Sequence, residues 1–120
     1  MKKKILIISR HAPYGNSIAR EAIDIALAGA VYDQDISYLF MDDGVFQLLK
    51  NQQSQKIDQK NISATLKALP IYGVENIYAH EESLNERGIT VDELIFDNLR
   101  LLNSKNVAAL LNEQDQLMSF

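Results

Sequence analysis

The 120-residue chain is 47% hydrophobic and 23% charged, carries a net charge of −4 and contains no cysteine. Its length fits one domain, 1–120, able to bury roughly 65% of the surface its unfolded form exposes. The missing cysteine excludes disulfides, zinc–thiolate sites and cysteine nucleophiles, and the acidic balance argues against a free-standing nucleic-acid binder, which carries a basic face.

The one basic run, Lys2-Lys3-Lys4, reads as a solubilising flank. Ile5 to Ile8 is a continuous β-branched and leucine run, the pattern of a strand buried on both faces. It is far too short for the apolar region of a signal peptide, and no stretch approaches the ~20 apolar residues of a membrane span, so a cytoplasmic location is expected. A loop from Ser9 to Asn16 leads to a helix over about Ser17–Ala30, with Ser17 as cap and Ile18, Ala22, Ile25 and Ala26 as its apolar stripe. Ile36 to Met41 is a second strand, ended by Asp42-Asp43-Gly44. Val45 to Leu49 reads as a short helix whose four apolar residues must face the core or another subunit.

Asn51 to Lys60 is polar and glutamine-rich and reads as a surface loop. Asn61 is placed to cap a helix carrying Ile62, Leu66 and Leu69, which Pro70 stops. Ile77 to Ala79 is a third strand, followed by helical turns over Glu81–Arg87 closed by Gly88. Thr90 with Glu93 makes a capping-box pattern. Leu99 to Leu102 is a fourth strand and Asn103 to Asn112 a helix with Val107, Leu110 and Leu111 on one face. Gln116 to Phe120 is a closing strand whose removal should damage the core. Strands alternating with helices predict an α/β three-layer sandwich around a mostly parallel, about five-stranded, Rossmann-like sheet.

Ligands of such sheets meet the loops after the carboxyl ends of the strands. In the first loop Gly15 is the only glycine, and the chain has neither a GxGxxG nor a Walker lysine motif, so no nucleotide or other cofactor is expected. His11 in that loop could serve as a base or metal ligand, but a solvated loop histidine is the plainer reading. Asp42 and Asp43 could hold a divalent cation or do acid–base work; beside Gly44 they read first as turn and cap residues. His80 and Glu82 could share a metal but lack a third ligand in sight, and the spacing suits a helix start. No catalytic set and no metal site is therefore assigned. A stand-alone small-molecule or nucleotide-binding domain, and an enzyme using His11, Asp43 and His80, are the competing functional classes.

Several segments carry a family resemblance across nearly the whole chain. They are Ala12-Pro13-Tyr14-Gly15, Arg20-Glu21-Ala22-Ile23-Asp24, Asp43-Gly44-Val45-Phe46-Gln47-Leu48-Leu49, Ser83-Leu84-Asn85-Glu86-Arg87-Gly88 and Ser119-Phe120. In this order the chain resembles the DsrE/DsrF/DsrH-like sulfur-relay family, on its DsrF-like side, the TusC type of subunit. The resemblance implies a DsrEFH-like fold and a place beside TusB-like and TusD-like subunits in a heterohexamer. That assembly passes persulfide sulfur between carrier proteins towards 2-thiolation of the tRNA wobble uridine. It also implies that the sulfur-carrying cysteine belongs to the DsrE-like subunit, in the loop after its third strand. Counting back from Gly88, the matching position falls on His80, which cannot hold a persulfide. The resemblance thus implies a non-catalytic subunit, and the apolar short helix with its leading turn, Asp43, Gly44, Val45, Phe46, Leu48 and Leu49, is the candidate surface it would bury against its partners. Such a subunit contacts neither nucleic acid nor membrane directly, and its exposed interface would favour self-association when the partners are missing.

Overall fold

A computed structural model of the chain describes residues 2–13, 17–50, 57–97 and 99–120, with 57–61 as backbone alone. Five strands, β1 (Lys4–Ser9), β2 (Asp35–Phe40), β3 (Asn76–His80), β4 (Arg100–Leu102) and β5 (Gln116–Ser119), form one sheet in the order β4-β3-β2-β1-β5. Every pairing within it is parallel. Among the described residues four helices connect them: α1 (Ile18–Val31), α2 (Ile57–Ala68), α3 (Glu81–Glu86) and α4 (Ser104–Asn112). Two 3-10 turns, Asp42–Leu48 and Val91–Glu93, complete the described connections.

Strand order and handedness distribute the layers. Helices α1 and α2 pack on one face of the sheet and α4 on the other, the division that right-handed crossovers give for this strand order. Alternation along the strands matches this division. Ile7, Ile36, Tyr38, Phe40, Ile77 and Ala79 face the larger core, with Ala19, Ala22, Ile23 and Ala26 of α1 and Ile62, Leu66 and Leu69. Leu6 and Leu39 face the smaller core, closed by Val107 and Leu110 of α4. The three-layer α/β reading holds, with one layer reduced, among the described residues, to a single nine-residue helix.

The local differences from expectation have simple causes. The buried stripe of α1 is Ala19, Ala22, Ile23 and Ala26 rather than one running through Ile18 and Ile25, which are only partly buried. Small alanines let α1 lie close to the sheet, and Ile23 supplies the bulk. Ser17 sits at the N-cap, but its side chain caps nothing; its hydroxyl lies 3.4 Å from the Glu21 carboxylate. Helix α2 starts at Ile57, so Asn61 is inside it and is not its cap. Gln59 and Lys60 are good helix formers and neither glycine nor proline interrupts them, so the helix extends into the stretch that looked like loop. The remainder of that expected loop, 51–56, lies outside the described residues, as do Tyr14, Gly15 and Asn16 of the first loop.

Other expected devices are present. The Thr90–Glu93 capping box forms. Helix α3 closes through Gly88 at φ +67, with Ile89 N–H donating to the Leu84 carbonyl at 3.0 Å and Gly88 N–H to the Asn85 carbonyl at 3.1 Å. Asn103, expected as the first residue of its helix, instead caps α4 by accepting from the Asn106 amide at 2.8 Å. Phe120 is tied in beyond β5: its N–H donates to Ile8 and its carbonyl accepts from Arg10.

Candidate functional site

The carboxyl ends of the strands gather the three loops singled out in the sequence. Pairing sets Ser9 beside Phe40 and His80 beside Leu102, so the residues just beyond each strand meet their neighbours. This is why Arg10 reaches Asp42 and why His80 reaches Ser104, although 24 residues separate the latter pair.

His80 ends β3 and is 9% exposed. Its Nδ1 lies 2.8 Å from Ser83 Oγ and its Nε2 2.9 Å from Ser104 Oγ. Ser83 Oγ also accepts the Asp42 N–H at 3.0 Å. The Ser83 hydroxyl keeps a second lone pair and its own proton, and the Ser104 hydroxyl can likewise donate or accept, so either ring tautomer fits both contacts. Both ring nitrogens are thereby engaged, and neither is presented to Glu82 for a shared metal.

The turn after β2 is built tightly. Asp42 adopts φ 50, a left-handed conformation that aspartate tolerates better than most residues. Its carboxylate accepts from Arg10 Nε at 2.8 Å, an exposed pair of small energetic weight. Gly44 packs against the end of β1, where an added Cβ would stand 2.7 Å from the Ser9 carbonyl carbon and 3.1 Å from the Arg10 nitrogen. The 3-10 turn then buries Val45, Gln47 and Leu48 in the chain's own core. Gln47 Nε2 donates to Ser9 Oγ and to the His11 carbonyl, both at 2.8 Å, which fixes the first loop against the second. Burial pushes the neighbouring Tyr38 phenol well above its usual pKa range. The Ser9 hydroxyl opposes this, yet no partner with ordinary hydrogen-bond geometry reaches Tyr38 Oη among the described residues.

The expected interface residues therefore divide. Val45 and Leu48 are fully buried and Gly44 is pressed on β1, so none of the three presents a side chain outward. Asp43 is exposed; Phe46 and Leu49 are partly buried against the core. Arg87, at the end of α3, joins them. Its Nε and Nη2 both reach Asp43 Oδ1 at 3.0 Å, its Nη1 donates to the Ser83 carbonyl at 3.1 Å, and its guanidinium carbon lies 6.0 Å from the Phe46 ring centroid. His11 is exposed and lines an open hollow of about 390 Å³ with Arg10, Asp42, Ser119 and Phe120. His11, Asp43 and His80 thus have separate surroundings: the hollow, the Arg87 guanidinium and the two serines. Among the described residues no group of three or more histidine, aspartate and glutamate side chains could hold a metal.

Ser83, Ser104, Arg87 and Gln47 were not singled out from the sequence as site residues. Ser83 stands three positions after His80, a spacing that a helix start would bring together. Ser104 had no local signal.

The DsrE/DsrF-like family model matches residues 3–120. The chain belongs to the DsrE/DsrF-like family. Among DsrE/DsrF-like relatives it is 40% identical to the intracellular sulfur oxidation protein DsrF of Allochromatium vinosum, over 98% of this chain and 96% of that one. It is also 40% identical to a TusC homolog of Pseudomonas aeruginosa, covering 99% of both. TusC of Buchnera aphidicola is 33% identical, over 98% of this chain and 99% of that one. The ychN protein of E. coli shares the fold over the full length of both chains, with a TM-score of 0.79 at 23% identity. Among the described residues no helix is long and apolar enough to cross a membrane.

Proposed function

We propose that this chain is the TusC-like, non-catalytic subunit of a TusB–TusC–TusD type of sulfur-relay complex, supporting 2-thiolation of the tRNA wobble uridine. One observation carries the reading. Where the family resemblance calls for the sulfur-carrying cysteine, this chain has His80, with both ring nitrogens engaged by serine hydroxyls. Relay chemistry needs a thiolate that can accept and release sulfur, and this chain has no thiol at any position. The names of its relatives, TusC and DsrF, support a subunit of such a system. On this reading the cysteine is a partner's, and this chain contributes fold and contact surface. Its partners are TusB-like and TusD-like subunits in a cytoplasmic heterohexamer, and sulfur-carrier proteins and tRNA are reached through the assembly.

Co-expression with TusB-like and TusD-like subunits, followed by light scattering on the eluted species, tests the proposal. A single heteromeric species containing all three chains is expected, and the chain alone is expected to self-associate. A chain that elutes by itself in the presence of both partners would contradict the reading.

A further inference from the structure

We propose that α4 is a detachable strap over one face of the sheet, able to lift while the five strands stay paired, and that His80 is its latch through Ser104.

The two faces of the sheet are covered unequally. One carries α1, α2 and the larger core; the other carries the smaller core, which among the described residues α4 alone closes. A helix of nine residues does not hold its shape in water, so α4 depends on what it packs against. Val107 and Leu110 are its buried side chains, while Lys105, Asn106, Ala108 and Ala109 are exposed. Burial of those two side chains offsets the ordering of the helix by a narrow margin. An element with so few buried contacts opens at a lower free energy than the chain as a whole.

The strands hold both ends of the strap. Beyond its C-terminus, Asp115 donates its N–H to the Lys4 carbonyl and accepts the Lys4 N–H on its carboxylate, both at 2.8 Å. Before its N-terminus, Leu102 is paired with His80. Residues 103–114 can therefore leave the sheet without disturbing β4 or β5. Among the described residues, the 2.9 Å contact between His80 Nε2 and Ser104 Oγ is the one hydrogen bond that joins α4 to another element. Ser104 is the first residue of the helix, and His80 is buried and held from its other side by Ser83. His80 thus pins the start of α4 to the end of β3. Lifting α4 uncovers Leu6 and Leu39 together with the partly buried Ile8, Met41 and Tyr78.

Hydrogen exchange of the purified chain tests both parts. Amides of α4 are expected to exchange at least about a hundredfold faster than those of β1 and β2, because they open without the sheet. Ser104→Ala should speed the α4 amides by about a further fivefold, the loss of one neutral hydrogen bond, and leave β1 and β2 within about twofold of wild type. Alanine is the better helix former, so lost helix propensity cannot produce that acceleration. The chain has no cysteine, so Val107→Cys places a single thiol on the buried face of α4. A thiol reagent should label the folded variant faster than that variant unfolds, and about fivefold faster again when Ser104→Ala is added. Exchange of α4 in step with β1 and β2, or labelling only at the unfolding rate, would overturn the strap. Equal acceleration of α4 and the sheet by Ser104→Ala, or none, would overturn the latch.

Discussion

Replacing Gly44 with alanine is expected to destabilise the isolated chain by about 3 kcal/mol, close to the upper range for overpacking. Gly44 is pressed against the last peptide of β1, and the added methyl would overlap the Ser9 carbonyl group. That carbonyl cannot easily retreat, because it accepts the Met41 N–H at 3.0 Å where β1 and β2 end. Gly44 is also held from its own side, its N–H donating to the Met41 carbonyl at 2.8 Å. Either the turn moves outward, lifting Val45 and Leu48 from the core, or the ends of the two central strands separate. Thermal unfolding should report a loss of roughly 10 °C for a domain of this size. A loss below about 1 kcal/mol would mean that the turn does not sit on β1 as described.

Phe46→Asp is expected to abolish stable assembly with the TusB-like and TusD-like subunits, weakening association by about a hundredfold, as the loss of a central aromatic contact does. Phe46 is the largest apolar side chain of the turn that still reaches the surface, and Arg87 lies against it. The isolated variant should remain folded, since Phe46 is only partly buried and the new carboxylate would stand near a guanidinium. Charging Val45 or Leu48 could not make the same test, because both are fully buried and their loss would unfold the chain itself. Phe46→Leu keeps an apolar surface and should retain most of the association. Normal co-purification of a folded Phe46→Asp chain would place the interface elsewhere.

The fold was legible where apolar runs and punctuation agreed. The Ile5–Ile8 run, the Asp42-Asp43-Gly44 break, Gly88 and the Thr90–Glu93 box each marked a real boundary, because each is a local device whose chemistry does not depend on distant contacts. The start of α2 was not legible. Asn61 offered an attractive cap, but nothing in 57–60 opposes a helix, and the segment continued through it. The rotation of the α1 stripe was obscured because alanine contributes to burial without a strong hydrophobic signal.

The site was legible only in part. His80 and Asp43 stand at strand ends, where sequence reasoning looks first. Ser104 acts on His80 only because β3 and β4 pair in a register that brings their ends together, a fact of topology that no spacing in the chain records. The Val45–Leu49 turn posed a choice between core and partner that periodicity could not settle. In the fold Val45 and Leu48 turn into the core, while Phe46 and Leu49 pack against it and stay only partly buried.

The most direct measurement of the central claim is the content of wobble 2-thiouridine in tRNA from cells in which only this reading frame is deleted. Mass spectrometry of the digested tRNA should show the modification lost or strongly reduced, and restored by the intact chain supplied in trans. Intact thiolation in a clean deletion would contradict the account.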